Sequence, residues 1–66
     1  MSWNFRVIER DGEFAIYEVF YDDSGAPIGH TEAPVFPHAE SFSDLVEEVK
    51  RYSEALQKAV LPYRKS

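Results

Sequence analysis

The sequence predicts an α+β fold: a three-stranded antiparallel meander followed by one C-terminal helix that packs on one face of the sheet (β-β-β-α). Two observations predict it. The first 31 residues contain two runs rich in β-branched and aromatic residues and a short third run, separated by Asp-Gly and Asp-Asp-Ser-Gly turn signals. Residues 42–58 instead carry apolar side chains at steps of three and four, the period of an amphipathic helix. With 66 residues, the chain is expected to form a single domain over residues 1–66.

The first two strands are predicted over residues 3–9 and 13–21. Asp11-Gly12 between them favours a type I′ turn, because both central positions of that turn need a positive φ. The turn places Arg10 opposite Glu13 and sets the register of the whole hairpin. Side chains directly opposite each other share a face of the sheet. The face expected to form the core carries Trp3, Phe5, Val7, Phe14, Ile16 and Phe20.

A third strand is predicted over residues 27–31, where a leading proline suits the edge of a sheet. Gly25 is placed to adopt the left-handed conformation of a type I turn with a bulge. The register expected from this turn pairs Asp22 with Ala26, Phe20 with Ile28, and Glu18 with His30. This register brings Ile28 onto the core face.

One helix is predicted over residues 42–58, with Ser41 as its N-cap. Pro62 cannot continue a helix, so residues 59–66 are expected to form a tail. In the loop before the helix, Phe36 is expected to lie under the core. The apolar stripe of the helix consists of Phe42, Leu45, Val46, Val49, Tyr52 and Leu56.

A single helix covers one face of a sheet, so the opposite face is expected to be exposed. Neighbouring apolar side chains on such a face can form an interaction patch, and the first and third strands also offer unpaired edges. These features predict binding of a protein partner or self-association, including a homodimer through the sheet. The alternative is an ordinary solvated face, with Arg6 lying over Tyr17. The candidate interaction residues are Arg6, Ile8, Tyr17, Val19 and Tyr21.

The pair Glu18 and His30 is the polar exception on the expected core face. A carboxylate beside an imidazole can act as a general acid/base couple or a ligand clamp, which gives a small-ligand or hydrolytic site as the alternative function. A structural hydrogen bond is the favoured interpretation, because one such pair without a nucleophile makes no reaction site. The protein is therefore expected not to be an enzyme.

Two His-x-Glu segments begin at His30 and His38, and their imidazoles and carboxylates are potential zinc ligands. A zinc site of this kind needs further ordered ligands and supporting partners, which the spacing does not supply. No metal and no other cofactor is expected.

The charge balance limits the class of partner. Seven Lys and Arg stand against twelve Asp and Glu, a net charge of −5, and residues 1–33 hold the whole excess. Nucleic acid is not expected as a ligand, because phosphate backbones are bound by clustered basic residues. The chain contains no cysteine and no run of about 20 apolar residues. These features predict a cytoplasmic protein that does not cross a membrane.

Three sequence patterns carry a resemblance that extends over most of the chain. Trp3-Asn4-x-Arg6-Val7-Ile8, Glu18-Val19-x-Tyr21-Asp22-x-x-Gly25-x-Pro27 and Thr31-Glu32-x-Pro34-Val35 resemble a group of short, uncharacterised bacterial proteins of about this length. More distantly, the β-β-β-α order with Glu40-Ser41-Phe42-Ser43-Asp44-Leu45 opening the helix is similar to the N-terminal domain of HicB-type antitoxins. The second resemblance implies binding of a small basic toxin and self-association.

Overall fold

The structure, a computed structural model, describes residues 1–64. Within these residues, four strands form one curled, mixed sheet in the order β3-β2-β1-β4, in which β4 runs parallel to β1. The predicted α+β class with an antiparallel meander is confirmed, but the sheet gains a strand. The elements are β1 (Ser2–Arg10), β2 (Glu13–Tyr21), β3 (Pro27–His30), α1 (Phe42–Ala55) and β4 (Leu61–Pro62).

The β1–β2 hairpin has the predicted turn and register. Asp11 and Gly12 have φ values of 54° and 82°, as a type I′ turn requires. Arg10 lies opposite Glu13, and the pairing continues without a break through nine residue pairs. The strands differ from the prediction only at the ends of β1, which is one residue longer on each side.

The turn between β2 and β3 is held by the Asp22 carboxylate. Its Oδ1 accepts hydrogen bonds from the Ser24 hydroxyl at 2.7 Å, the Ser24 N–H at 2.9 Å and the Ala26 N–H at 3.0 Å. The Ser24 hydroxyl, followed by the Ala26 N–H, lowers the pKa of Asp22 below its usual 3.8. Gly25 adopts a φ of 85°, and the Asp22 N–H donates to the Ala26 carbonyl, as predicted for this turn.

A β-bulge directly after this turn shifts β3 by one residue relative to the prediction. The observed pairs are Tyr21 with Pro27, Phe20 with Gly29 and Val19 with His30. The predicted pairs Phe20–Ile28 and Glu18–His30 are therefore wrong. A bulge adds one residue to a strand without adding one to its partner, and Ile28 is exposed rather than in the core.

The helix α1 begins as predicted and ends three residues earlier. The Ser41 hydroxyl accepts a hydrogen bond from the Asp44 N–H at 3.2 Å, which confirms the N-cap. The α-helix ends at Ala55, and three consecutive i→i−3 backbone bonds then continue the winding to Lys58. The predicted boundary at residue 58 thus marks the end of this tightened turn.

The segment predicted as a tail contributes β4 instead. Leu61 pairs with Ile8 and Pro62 with Glu9, and the Tyr63 N–H donates to the Glu9 carbonyl at 3.0 Å. β4 therefore covers part of the β1 edge, whereas the prediction left the whole of that edge unpaired. Of the predicted tail, residues 65–66 lie outside the described part of the chain.

Two hydrophobic clusters lie on opposite faces of the sheet. On the face that we call the helix face, the cluster consists of Phe5, Tyr52 and Ala55 with Ile16 and Val35 packed against them. On the face that we call the C-terminal face, it consists of Ile8, Tyr17 and Val19 with Ala15, Tyr21, Leu61 and Tyr63. The sheet therefore has side chains buried on both sides rather than on one.

The helix face is less completely covered than predicted. Phe5 and Tyr52 stack with ring centroids 4.2 Å apart, but Trp3 and Phe14 are 51% and 63% exposed. Phe36 is also exposed rather than under the core. Its neighbour Val35 packs there instead and donates its N–H to the Ile16 carbonyl at 2.9 Å.

Candidate functional site

The face predicted to bind a partner is occupied by the chain's own C-terminal segment. Ile8, Tyr17 and Val19 are only 1%, 3% and 2% exposed, because Leu61 and Tyr63 pack over them. Sequence reasoning missed this cover, since it assigned residues 59–66 to a tail. The expectation that this face is exposed is wrong, and its apolar residues form the better-buried cluster of the two.

The polar residues of this face hold the C-terminal segment in place. Arg6 donates from Nη1 to the Tyr21 hydroxyl at 3.0 Å and from Nη2 to the Ala59 carbonyl at 2.7 Å. The Tyr21 hydroxyl in turn donates to Asn4 Oδ1 at 2.7 Å. Within residues 1–64, the buried Arg6 Nε has no hydrogen-bond partner. Arg6 and Tyr21, both predicted interaction residues, thus link β1 and β2 to the chain that leaves the helix.

The Tyr63 ring connects the two edges of the sheet. It packs against His30 with centroids 4.7 Å apart and against Tyr17 at 5.8 Å, while the Arg10 guanidinium lies 4.1 Å from its centroid. Its hydroxyl donates to the Glu32 carbonyl at 3.1 Å. These contacts bring the segment after β4 against β3, on the far side of the curled sheet.

Glu18 and His30 do not meet, because the bulge turns them to opposite faces. His30 lies opposite Val19 on the C-terminal face, whereas Glu18 lies opposite Phe5 on the helix face. There, burial of the Tyr52 side chain and the carboxylates of Glu48 and Glu18 together raise the pKa of Tyr52 above 10.0. The geometry therefore does not assemble the predicted acid–imidazole pair.

Both nitrogens of the His30 ring are engaged by the backbone. Nδ1 lies 2.7 Å from the Thr31 carbonyl oxygen, and Nε2 accepts a hydrogen bond from the Arg64 N–H at 3.0 Å. This arrangement requires the neutral ring with its proton on Nδ1. His30 therefore serves as a structural link between β3 and the C-terminal segment. In residues 1–64, no three His, Asp or Glu side chains come together in an arrangement that would hold a metal ion.

An apolar side of α1 faces solvent instead of the sheet. The helix docks through Tyr52 and Ala55, which are buried with Phe5, and Leu45 is half-buried. The remaining predicted apolar positions form what we call the exposed helix stripe. It consists of Phe42 (81% exposed), Val46 (40%), Val49 (44%) and Leu56 (69%).

The exposed helix stripe results from how the helix is rotated about its axis. Successive residues of an α-helix are about 100° apart, so Val46 and Val49 lie to one side of the docking positions Tyr52 and Ala55. The sequence identified these residues as members of one apolar stripe on a helix that packs on the sheet. The apolar period shows that a stripe exists, but it does not show which part of the stripe contacts the sheet.

An open groove separates the other side of the helix from the end of β1. It has a volume of about 600 Å³ and is lined by Trp3, Asn4, Phe5, Arg51, Glu54, Ala55 and Lys58. A second open groove of about 810 Å³ lies between β3 and the C-terminal segment, next to His30 and Tyr63. Both ring nitrogens of His30 are already bonded, so this ring is not available as a free base in the second groove.

No family model, curated protein or solved structure matches this chain. The resemblances to the short bacterial proteins and to HicB-type antitoxins therefore stay predictions. The described part of the chain contains no helix whose length and hydrophobicity would let it traverse a lipid bilayer.

Proposed function

We propose that this protein is a small, non-enzymatic protein-interaction module that binds an apolar helical surface of a partner protein along the exposed helix stripe. The observation that carries the proposal is the position of four large apolar side chains along one side of α1 and its C-cap residue Leu56, each at least 40% exposed. Neighbouring apolar side chains that are exposed on one side of a helix are typical of interaction sites.

The proposal is supported by the fact that α1 has more apolar residues than its docking on the sheet uses. Tyr52 and Ala55 are buried against Phe5, and Leu45 is half-buried. A helix that served only to cover the sheet would carry polar residues at the positions of Val46 and Val49. The second apolar side therefore supports a role outside the fold.

The spacing of the stripe supports a helix as the partner element. Phe42, Val49 and Leu56 follow each other at intervals of seven residues, and Val46 lies between the first two. A seven-residue interval keeps side chains on one narrow seam, the geometry by which helices pack side by side. A partner helix with an apolar ridge of similar width is the expected occupant.

The sheet edges are the other predicted route to a partner and receive less support. β3 has four residues and begins with Pro27, which is one of the ways in which proteins prevent pairing at an edge. On the opposite edge, β4 pairs with β1 at Ile8 and Glu9. The exposed helix stripe is therefore the preferred docking surface.

The test is a matched pair of charge substitutions. Val49→Glu places a carboxylate in the middle of the exposed helix stripe, whereas Phe36→Glu makes the same change of charge at an exposed aromatic residue outside it. We expect Val49→Glu to weaken binding about tenfold or more, because complex formation would bury an unpaired charge. Phe36→Glu is expected to bind like the unmodified protein.

The measurement is native mass spectrometry of the purified proteins, alone and after exposure to native cell extract. Circular dichroism first shows that both variants keep the fold. A complex of defined stoichiometry that is present with Phe36→Glu and lost with Val49→Glu supports the proposal. No complex with any of the proteins, or a complex that Val49→Glu leaves intact, overturns it.

A further inference from the structure

We infer that His30 forms a pH-sensitive link, which fastens the end of the C-terminal segment to β3 at neutral pH and releases it in mild acid. The His30 link is the hydrogen bond from the Arg64 N–H to His30 Nε2, with a length of 3.0 Å. An imidazole is the side chain whose charge ordinarily changes between about pH 5 and pH 8. The inference concerns the C-terminal face of the sheet and does not depend on the exposed helix stripe.

The two bonds of the His30 ring fix the position of its proton. The Thr31 carbonyl oxygen lies 2.7 Å from Nδ1 and can only accept, so the neutral ring carries its proton on Nδ1. Nε2 then has a free lone pair, which accepts the N–H of Arg64. The charged ring has a proton on each nitrogen and no acceptor. Protonation therefore keeps the bond to Thr31 and replaces the bond to Arg64 with two donors that point at each other.

The elements packed against His30 bring a positive charge close to the ring. Tyr17 of β2 and Tyr63 of the C-terminal segment contact it, with ring centroids 5.7 Å and 4.7 Å away. From β1, the Arg10 guanidinium lies 4.1 Å from the centroid of the same Tyr63 ring. A proton on His30 would therefore place a second cation against a ring that already carries one, and the two like charges repel each other.

The groove beside His30 does not offset this charge. Besides Arg10, the charged residues that line it are Glu32 and Arg64. In the described part of the chain, no carboxylate forms an ion pair with His30. Docking of the C-terminal segment and protonation of the ring therefore oppose each other. The His30 link is complete while the ring is neutral and is lost as the pH falls through the range in which an imidazole takes up a proton.

The other attachments of the C-terminal segment limit what the His30 link releases. Leu61 of β4 pairs with Ile8, and the Tyr63 N–H donates to the Glu9 carbonyl. These bonds join backbone groups, which do not titrate. Mild acid is therefore expected to free Arg64 from β3 while β4 stays in the sheet. Because Arg64 lines the groove between β3 and the C-terminal segment, this release also opens that groove.

The experiment follows two neighbouring amide protons by NMR at about pH 7.5 and about pH 5, on the two sides of imidazole titration. Hydrogen exchange, corrected for the intrinsic effect of pH on the exchange rate, gives the protection of the Arg64 N–H and of the Tyr63 N–H. We expect the protection of the Arg64 N–H to fall about tenfold in acid, the scale of one hydrogen bond. The Tyr63 N–H, whose acceptor is a backbone carbonyl, is expected to stay protected.

Three variants assign the response to the ring nitrogen, after circular dichroism has shown that each is folded at both pH values. His30→Gln carries an acceptor that stays neutral, so the pH dependence of Arg64 protection is expected to disappear. His30→Phe keeps a ring beside Tyr63 but has no acceptor, so the Arg64 N–H is expected to be unprotected at both pH values. His38→Gln is the matched control, because His38 is the other histidine of the chain and lies beside Phe36. It is expected to keep the full response.

Four results would overturn the inference. The first is equal Arg64 protection at the two pH values in the unmodified protein. The second is a full pH response in His30→Gln or its loss in His38→Gln, since another group would then be responsible. The third is Arg64 protection in His30→Phe that equals that of the unmodified protein. The fourth is an equal loss at the Tyr63 N–H, which would show that β4 leaves the sheet as a whole.

Discussion

The two faces of the sheet are covered by segments of very different size, and the smaller segment covers its face more completely. On the C-terminal face, the short stretch around Leu61 and Tyr63 leaves Ile8 and Val19 almost inaccessible to solvent. On the helix face, the 14 residues of α1 leave Trp3 and Phe14 more than half exposed. The amount of secondary structure on a face therefore does not determine how well that face is buried.

The difference follows from where each segment is attached. The C-terminal segment is bound along β1 by β4 and across the sheet by hydrogen bonds from Tyr63 and Arg64 to the β3 end. The helix face has Phe5 stacked on Tyr52 as its central contact. A segment bound to both edges of a curled sheet closes that face, whereas a helix that contacts mainly β1 leaves the rest of its face open.

The largest expected effect tests this contrast with two substitutions to alanine. Ile8→Ala removes a fully buried side chain from the C-terminal face and is expected to lower the free energy of unfolding by about 2–5 kcal/mol. Phe14→Ala removes a larger but mostly exposed side chain from the helix face and is expected to change the free energy of unfolding by about 0.5 kcal/mol or less. Urea unfolding followed by circular dichroism measures both values. Equal losses would show that the two faces contribute equally.

How much the sequence predicts can be seen within the sheet itself. The β1–β2 register was predicted in full, because the Asp11-Gly12 turn admits one close pairing and a slip would exchange the faces of a strand. The Ser41 cap was predicted because its hydroxyl acts on a backbone N–H only three residues away. The Ser41 cap depends on a contact between residues close in sequence, and the register depends on an uninterrupted ladder of paired residues.

The features that the sequence did not predict depend on tertiary contacts. The bulge that places His30 opposite Val19 follows a correctly predicted turn. The isoleucine at position 28 does not by itself indicate a bulge. The strand β4 has two residues, one of them proline, and gives no periodic signal. The candidate site was missed for the same reason: the stripe was identified, but the part of it that docks is decided by packing against Phe5.

A smaller effect is expected at Tyr63, and it tests whether this one ring closes the C-terminal face. Tyr63→Ala removes the ring contacts with Tyr17, His30 and Arg10 and is expected to destabilise the fold by about 2 kcal/mol. Tyr63→Phe keeps the ring and loses only the hydrogen bond to the Glu32 carbonyl, so a loss of about 1 kcal/mol or less is expected. Urea unfolding of both variants separates packing from hydrogen bonding. A Tyr63→Phe loss equal to that of Tyr63→Ala would contradict the packing role.

The smallest effect concerns the helix face and becomes visible only in alkali. Burial, with the nearby charges of Glu48 and Glu18, raises the pKa of Tyr52 above the value of 10.0 that it has in the unfolded chain. The folded state therefore holds the phenol proton more tightly, so this contribution to stability is complete below pH 10.0 and is lost as the pH rises through the folded pKa. Tyr52→Phe has no proton to lose and should escape that part of the decline. The urea unfolding midpoints of both proteins are compared at neutral and at alkaline pH. All other groups titrate equally in the two proteins, so they do not affect the difference between the midpoints. If the difference in urea midpoint between the two proteins does not shift in favour of Tyr52→Phe at alkaline pH, the Tyr52 ring is not buried between α1 and β1 as it is in the structure.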